Sequence, residues 1–174
     1  MLELLAPAGN LDAVIAAVQN GADAVYMGFG DGFNARRSAD NFTRESFAKA
    51  VRYCHIRGCK VYVTLNTLVG DREMDAAAAL AQQASDAGAD AILVQDLGLA
   101  RVLRAALPDI PLHASTQMSI HNLAGVEAAA EMGITRAVLA RELSLEQIRF
   151  ISQHASIETE VFVHGALCFC YSGQ

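Results

Sequence analysis

The residues of this chain that could do chemistry recur at intervals, each set just after a short apolar run. Arg36 and Arg141 carry guanidinium forks that match carboxylates and phosphates bidentately, which makes them candidates for holding an anionic ligand. Asn66 and Gln117, at two further run ends, add amide donors and acceptors to the same substrate-binding set. Glu142 is a candidate catalytic carboxylate; it could equally neutralise the surroundings of Arg141 or cap the next helix. His164 could donate to a substrate, serve as acid or base, or be a structural histidine. Cys168 and Cys170 lie two apart in a glycine-bearing loop and could ligate a metal or, with His164, supply a nucleophile. Two thiols alone lack the further ligands that a tetrahedral or cluster site requires.

Composition sets the outer bounds. At 174 residues, 53% hydrophobic and 18% charged, the chain is long enough for one domain with a substantial core and too apolar for disorder. A net charge of −6 does not advertise a nucleic-acid surface, though a local basic patch is compatible with it. The start, Met1 to Pro7, has no basic stretch followed by a long apolar one, so no signal peptide is visible. No run approaches the roughly 18 apolar residues of a membrane span. A cytoplasmic protein with no membrane partner is expected. In that reducing setting the four cysteines are expected to be thiols or metal ligands rather than disulfides.

The elements that must position these residues follow from the apolar pattern. Short apolar runs read as buried parallel strands at Glu3–Ala6, Ala24–Gly28, Lys60–Asn66, Ala91–Gln95, Leu112–Ser115, Arg136–Ala140 and Glu160–His164. Their interiors read as almost wholly apolar, with polar residues at their ends. Helical spacing separates them, as in Leu11, Val14 and Val18, or Leu145, Ile148 and Ile151. Ser144 and Gln147 form a capping-box pattern, and Asp71, Asp96 and Asn122 read as N-caps. Gly21-Ala22-Asp23-Ala24 and Gly88-Ala89-Asp90-Ala91 are near-copies of one device, a helix ended by a left-handed glycine and followed by a strand. Met132-Gly133-Ile134 is a looser third.

Seven strands alternating with six helices favour an incomplete (β/α)8 TIM-barrel-like domain spanning 1–174 over a doubly wound sheet. Gly28-Phe29-Gly30-Asp31-Gly32 is a weak nucleotide loop, because no amphipathic helix start follows it. The chain reads as one βα unit short, truncated before an eighth strand, with open edges that invite self-association. In such a barrel the chemistry sits at the C-terminal strand ends. Cys54 and Cys59 fall at the opposite ends, about 17–20 Å away, and read as buried or incidental.

These residues also resemble a known family. Glu160-x-Phe162-x-x-Gly165-Ala166-Leu167-Cys168, followed by Tyr171-Ser172-Gly173, looks like the signature of peptidase family U32, the collagenase-like proteases. Leu4 to Gly9, Gly21 to Tyr26, Val63 to Asn66, His113 to Gln117 and Leu139 to Leu143 look like further family blocks in family order. The resemblance implies one of two activities. One is proteolysis, although the sequence supplies no Ser-His-Asp constellation, His-Glu-x-x-His zinc helix or evident aspartate dyad. The other is oxygen-independent hydroxylation, of ribosomal or transfer RNA bases or of a quinone precursor, with a [4Fe-4S] cluster and, in the RNA-modifying branches, prephenate as hydroxyl source. Thr64 to Thr67, Val94 to Asp96 and Tyr171 to Gln174 most resemble the ribosomal RNA branch. By position one cluster ligand carries over, Cys168; a chain ending here is expected neither to assemble the cluster nor to act alone. A peptide substrate and a non-catalytic partner subunit remain the alternatives.

Overall fold

Three places in the chain start a strand by tying its entry residue to the segment before it, two of them with the same two-point hold. In a computed structural model that describes residues 2–30, 32–35, 41–165 and 170–173, Asp23 donates its N–H to the Leu4 carbonyl at 2.9 Å and accepts the Leu4 N–H on Oδ2 at 2.8 Å. Asp90 repeats this on Val61, at 2.8 Å and 2.7 Å. Thr135 stands at the third place, where its N–H and Oγ1 both donate to the Leu112 carbonyl, at 2.9 and 3.2 Å. Each is preceded by a glycine in the left-handed region: Gly21 at φ 90°, Gly88 at 96° and Gly133 at 82°. The repeated glycine–acid device of the sequence thus has a definite task. It ends a helix and then ties the incoming strand to the start of the one before it.

Among the described residues seven strands alternate with six α-helices: β1 (Leu5–Pro7), α1 (Leu11–Gln19), β2 (Ala24–Gly28), α2 (Arg44–His55), β3 (Lys60–Leu65), α3 (Met74–Asp86), β4 (Ala91–Val94), α4 (Leu97–Ala106), β5 (Leu112–Ala114), α5 (Leu123–Glu131), β6 (Arg136–Val138), α6 (Leu145–His154) and β7 (Glu158–Glu160). A 3-10 turn, Thr116–Met118, follows β5. The strands are hydrogen-bonded in chain order, β1 to β7, and the β1/β2, β2/β3, β5/β6 and β6/β7 registers are parallel. The chain forms two compact units, residues 1–93 and 94–174.

In the first unit β2 and β3 alternate between two environments, as the pleat requires. Val25, Met27, Val61 and Val63 join Phe47 and Val51 of α2 in one buried cluster. The opposite row of β3 is polar: Tyr62 donates to Glu3 at 2.8 Å, Lys60 pairs with the same carboxylate at 3.0 Å, and Thr64 donates to the Met27 carbonyl at 3.2 Å. Cys54 and Cys59 are both buried, as the spacing implied. Burial pushes the Cys54 thiol up to about 12, with the neighbouring Cys59 adding to the rise; burial likewise raises Cys59.

In the second unit Arg136 of β6 lies in register with Glu158 of β7. Its guanidinium binds Glu158 at 2.6 and 2.8 Å and Glu160 at 3.5 Å. These pairs correct two expectations. Strand interiors are not almost wholly apolar, since Tyr62 and Thr64 in β3, His113 in β5 and Arg136 in β6 are all buried. Strand seven is not Glu160–His164 but Glu158–Glu160, because the Arg136 pairs lock it there. Val161, Phe162 and Val163, the run that suggested the later span, are exposed.

Capping follows the sequence at Asn122, Asp96 and the Ser144–Gln147 box. Asp71 is not a cap. Helix α3 begins at Met74, and the Glu73 carboxylate instead accepts the Gly70 N–H at 2.9 Å, closing the preceding turn. No helix among the described residues is long and apolar enough to cross a membrane.

The strand-entry holds differ in burial, and that difference is measurable. Asp90→Ala strips the acceptor from the amide of fully buried Val61 and is expected to cost about 1–3 kcal/mol. Asp23→Ala leaves the amide of exposed Leu4 to water and is expected to cost less than about 1 kcal/mol. Urea unfolding of both variants checks the order.

Candidate functional site

The strand ends hold their loops with side-chain amides. In the first unit Asn66, directly after β3, accepts the Ala35 N–H at 3.1 Å and so grips the loop that follows β2. Asn34 and Asn41 of that loop bond to each other at 3.2 Å across Gly28. A Cβ on Gly28 would collide with both side chains, so the loop can lie over the strand end only because position 28 is glycine. Arg36 lies outside the described residues. A cavity of about 190 Å³ opens nearby, lined by Gly9, Asn10, Leu11, Asn41, Phe42 and Ser46. None of the described sequence candidates lines it.

In the second unit three candidates converge. Gln117 follows β5, Arg141 and Glu142 follow β6, and all three contact the segment 170–173. The Ser172 N–H donates to Glu142 Oε1 at 2.7 Å, and the Gly173 N–H donates to Gln117 Oε1 at 3.1 Å. Ser172 Oγ accepts from the Arg141 N–H at 3.2 Å and from Arg141 Nε at 3.4 Å. Arg141 Nη2 reaches the Cys170 carbonyl at 3.4 Å. Ser119 donates its hydroxyl to the Ser172 carbonyl, and Ser172 is only 4% exposed. Sequence reasoning missed Ser119 and Ser172. Ser119 sits at φ 56°, a left-handed conformation that its residue type does not announce.

Electrostatics agree with the geometry at Glu142. The donated Ser172 amide holds its carboxyl below the usual carboxylate range, with the Arg141 charge a smaller contributor. A general acid would need the opposite shift, so the candidate catalytic role of Glu142 as a proton donor finds no support here. His164 is corrected as well: it lies four residues beyond β7 and is exposed, rather than ending the strand.

Cys168 lies outside the described residues, and Cys170 is exposed. Among the described residues no three His, Cys, Asp or Glu side chains are placed to hold a metal. The described donor set therefore does not by itself fit an iron–sulfur cluster.

Consecutive parallel strands with helical crossovers and polar strand ends define the (β/α)-barrel class, and solved structures agree. The U32 peptidase Mk0906 superposes with a TM-score of 0.75 at 18% identity, covering 92% of this chain and 68% of that one. A 2,3-dimethylmalate lyase gives 0.64 at 19% identity, covering 95% of this chain and 69% of that one. The family is more specific than the fold. The sequence profile of peptidase family U32 matches residues 9–174, and the chain belongs to that family.

Relatives include the 23S rRNA 5-hydroxycytidine C2501 synthase of Escherichia coli, 44% identical over 99% of this chain and 26% of the relative. The tRNA hydroxylation protein P1 of Bacillus subtilis is 41% identical, over 99% of this chain and 40% of the relative. A collagenase of Porphyromonas gingivalis is 34% identical, over 99% of this chain and 44% of the relative. The chain thus spans roughly a quarter to somewhat over two fifths of the length of these relatives.

Two measurements test this description. In the native protein, maleimide labelling mapped by mass spectrometry is expected to modify exposed Cys170 and to spare Cys54 and Cys59 until denaturant is added. Because the Glu142 carboxyl is depressed, its hold on Ser172 is complete above the usual carboxylate value and is lost as pH falls through the depressed one. Side-chain carboxyl NMR should show that titration below the range of exposed glutamates, with protection of the Ser172 amide falling in step.

Proposed function

We propose that this chain is a barrel portion of an RNA base hydroxylase acting in the cytoplasm on ribosomal or transfer RNA. The observation that carries this reading is identity of 41–44% across 99% of the chain to proteins named for those hydroxylations. In this reading Arg141 holds a carboxylate of prephenate, the hydroxyl source, because a guanidinium fork suits a carboxylate. The [4Fe-4S] cluster of the same reading takes Cys168 as one ligand and the others from outside the described residues; when bound it would supply redox chemistry that no side chain described here offers.

A second reading, proteolysis, has a specific observation in its favour: the collagenase relative at 34% identity. It is less well supported, since the two hydroxylation-named relatives at 41% and 44% identity are more similar.

The test is complementation. The complete gene that contains this sequence is introduced into a strain lacking the 23S rRNA C2501 hydroxycytidine synthase, and into one lacking tRNA hydroxylation. Nucleosides of both RNAs are then read by mass spectrometry. Restored hydroxylation in one arm is the expected result and names the substrate. Gelatin hydrolysis by the purified protein, with both RNAs left unmodified, would overturn the proposal in favour of the peptidase.

A further inference from the structure

The segment 170–173 is held in an unusual way for a stretch outside regular structure: it is read through its main chain. Both successive amides, Ser172 and Gly173, find a side-chain oxygen, from Glu142 at 2.7 Å and from Gln117 at 3.1 Å. The Ser172 carbonyl between them takes the Ser119 hydroxyl. Gly173 adopts φ 86°, and a Cβ there would come within 2.7 Å of the Gln117 carbonyl oxygen and also collide with Ser119 Oγ. Only glycine fits so close to that backbone. Every polar group of this turn's centre is therefore matched, and its shape is matched as well.

The turn's one buried side chain points back at Arg141. Ser172 Oγ lies 3.2 Å from the Arg141 N–H and 3.4 Å from its Nε, with Thr116 Oγ1 donating to the same oxygen at 3.5 Å. The Cys170 carbonyl takes Arg141 Nη2 at 3.4 Å. Arg141 is exposed, and among the described residues no hydrogen bond is made by its Nη1. A long exposed arginine ordinarily samples many rotamers, and ordering it on a ligand costs side-chain entropy. Here one edge of the guanidinium is tethered and the other is left toward solvent.

We infer that the Ser172–Gly173 turn is a positioning element for Arg141: Gln117, Ser119 and Glu142 seat the turn, and Ser172 with the Cys170 carbonyl orients the guanidinium toward a carboxylate ligand. The inference rests on the reading of Arg141 as a ligand-binding cation, and it reassigns Gln117 and Glu142 from contacting the ligand to holding the turn. Ser172 is a positioning residue in this scheme; it acts through Arg141.

The experiment reads the arginine directly. Hydrogen exchange of the Arg141 Nε–H is followed by NMR in the full chain, in Ser172→Ala and in Gly173→Ala, and each protein is titrated with prephenate. Protection of Nε–H in the wild type should fall about fivefold in Ser172→Ala, while the Gly173 amide stays protected. Gly173→Ala, which unseats the turn, should abolish both protections. Prephenate affinity should weaken in the same order, and Arg141→Ala should lose it. Equal Nε–H exchange in all three proteins would overturn the inference, as would prephenate binding through Arg141 at unchanged affinity in Ser172→Ala. Should Nε–H protection depend on Ser172 while the wild type fails to bind prephenate, the positioning role stands and the ligand assignment is what fails.

Discussion

The parallel ladder between consecutive strands is the constraint on which everything else in this chain depends. Parallel pairing forces a crossover after every strand, and the crossovers here are helices of nine to thirteen residues. It also places the C-terminal ends of neighbouring strands together, so that loops carrying Asn66, or Gln117 and Arg141, gather within their own units. What fixes the ladder's phase, with Thr135 tied to Leu112 by two donors, is the two-point hold of Asp23 and Asp90 on the strand before. A carboxylate that accepts one amide while its own amide donates to the same residue leaves no freedom to slip. A slip of one residue would send Val61 and Val63 to the polar side and Tyr62 and Thr64 into the helix-facing core.

The polar row is the second consequence of that phase. Because side chains alternate, one row of each strand can be given wholly to packing while the other carries charge. In the first unit that charge is a Glu3–Lys60–Tyr62 group, and in the second it is Arg136 between Glu158 and Glu160. A buried cation gains from two carboxylates only if both are delivered in register. The Arg136 pairs therefore specify where β7 begins more strongly than they stabilise it.

At the strand ends of the second unit, polarity is used to seat chain on chain. The amides and carboxylates there meet the backbone of 170–173, which converts a short irregular segment into a fixed one without a helix or strand. Such a surface can still serve a ligand through the outer edge of Arg141, because a guanidinium has more donors than the turn consumes. The family's range of activities is consistent with a common frame whose loops differ, since strand-end loops change freely while the ladder beneath them does not.

Much of this was legible in the residues themselves. Apolar runs with helical stretches between them give the element order, and the glycine–acid repeats mark strand entries, because left-handed glycines and short acidic side chains have few other uses in such a pattern. The burial of Cys54 and Cys59, the caps at Asp96 and Asn122, and the importance of the strand ends follow from local rules of the same kind. Tertiary structure alone decided what those rules cannot reach. The start of β7 is set by Arg136, twenty-two residues earlier, rather than by the apolar run Val161 to Val163. Asp71, an adequate cap by composition, is passed over because Glu73 closes the Gly70 turn instead. Gln117, Arg141 and Glu142 look like ligand contacts when each is taken singly. They prove to share the main chain of residues 170–173, across sequence separations of 29 to 56, and no local pattern encodes which distant backbone a side chain will meet.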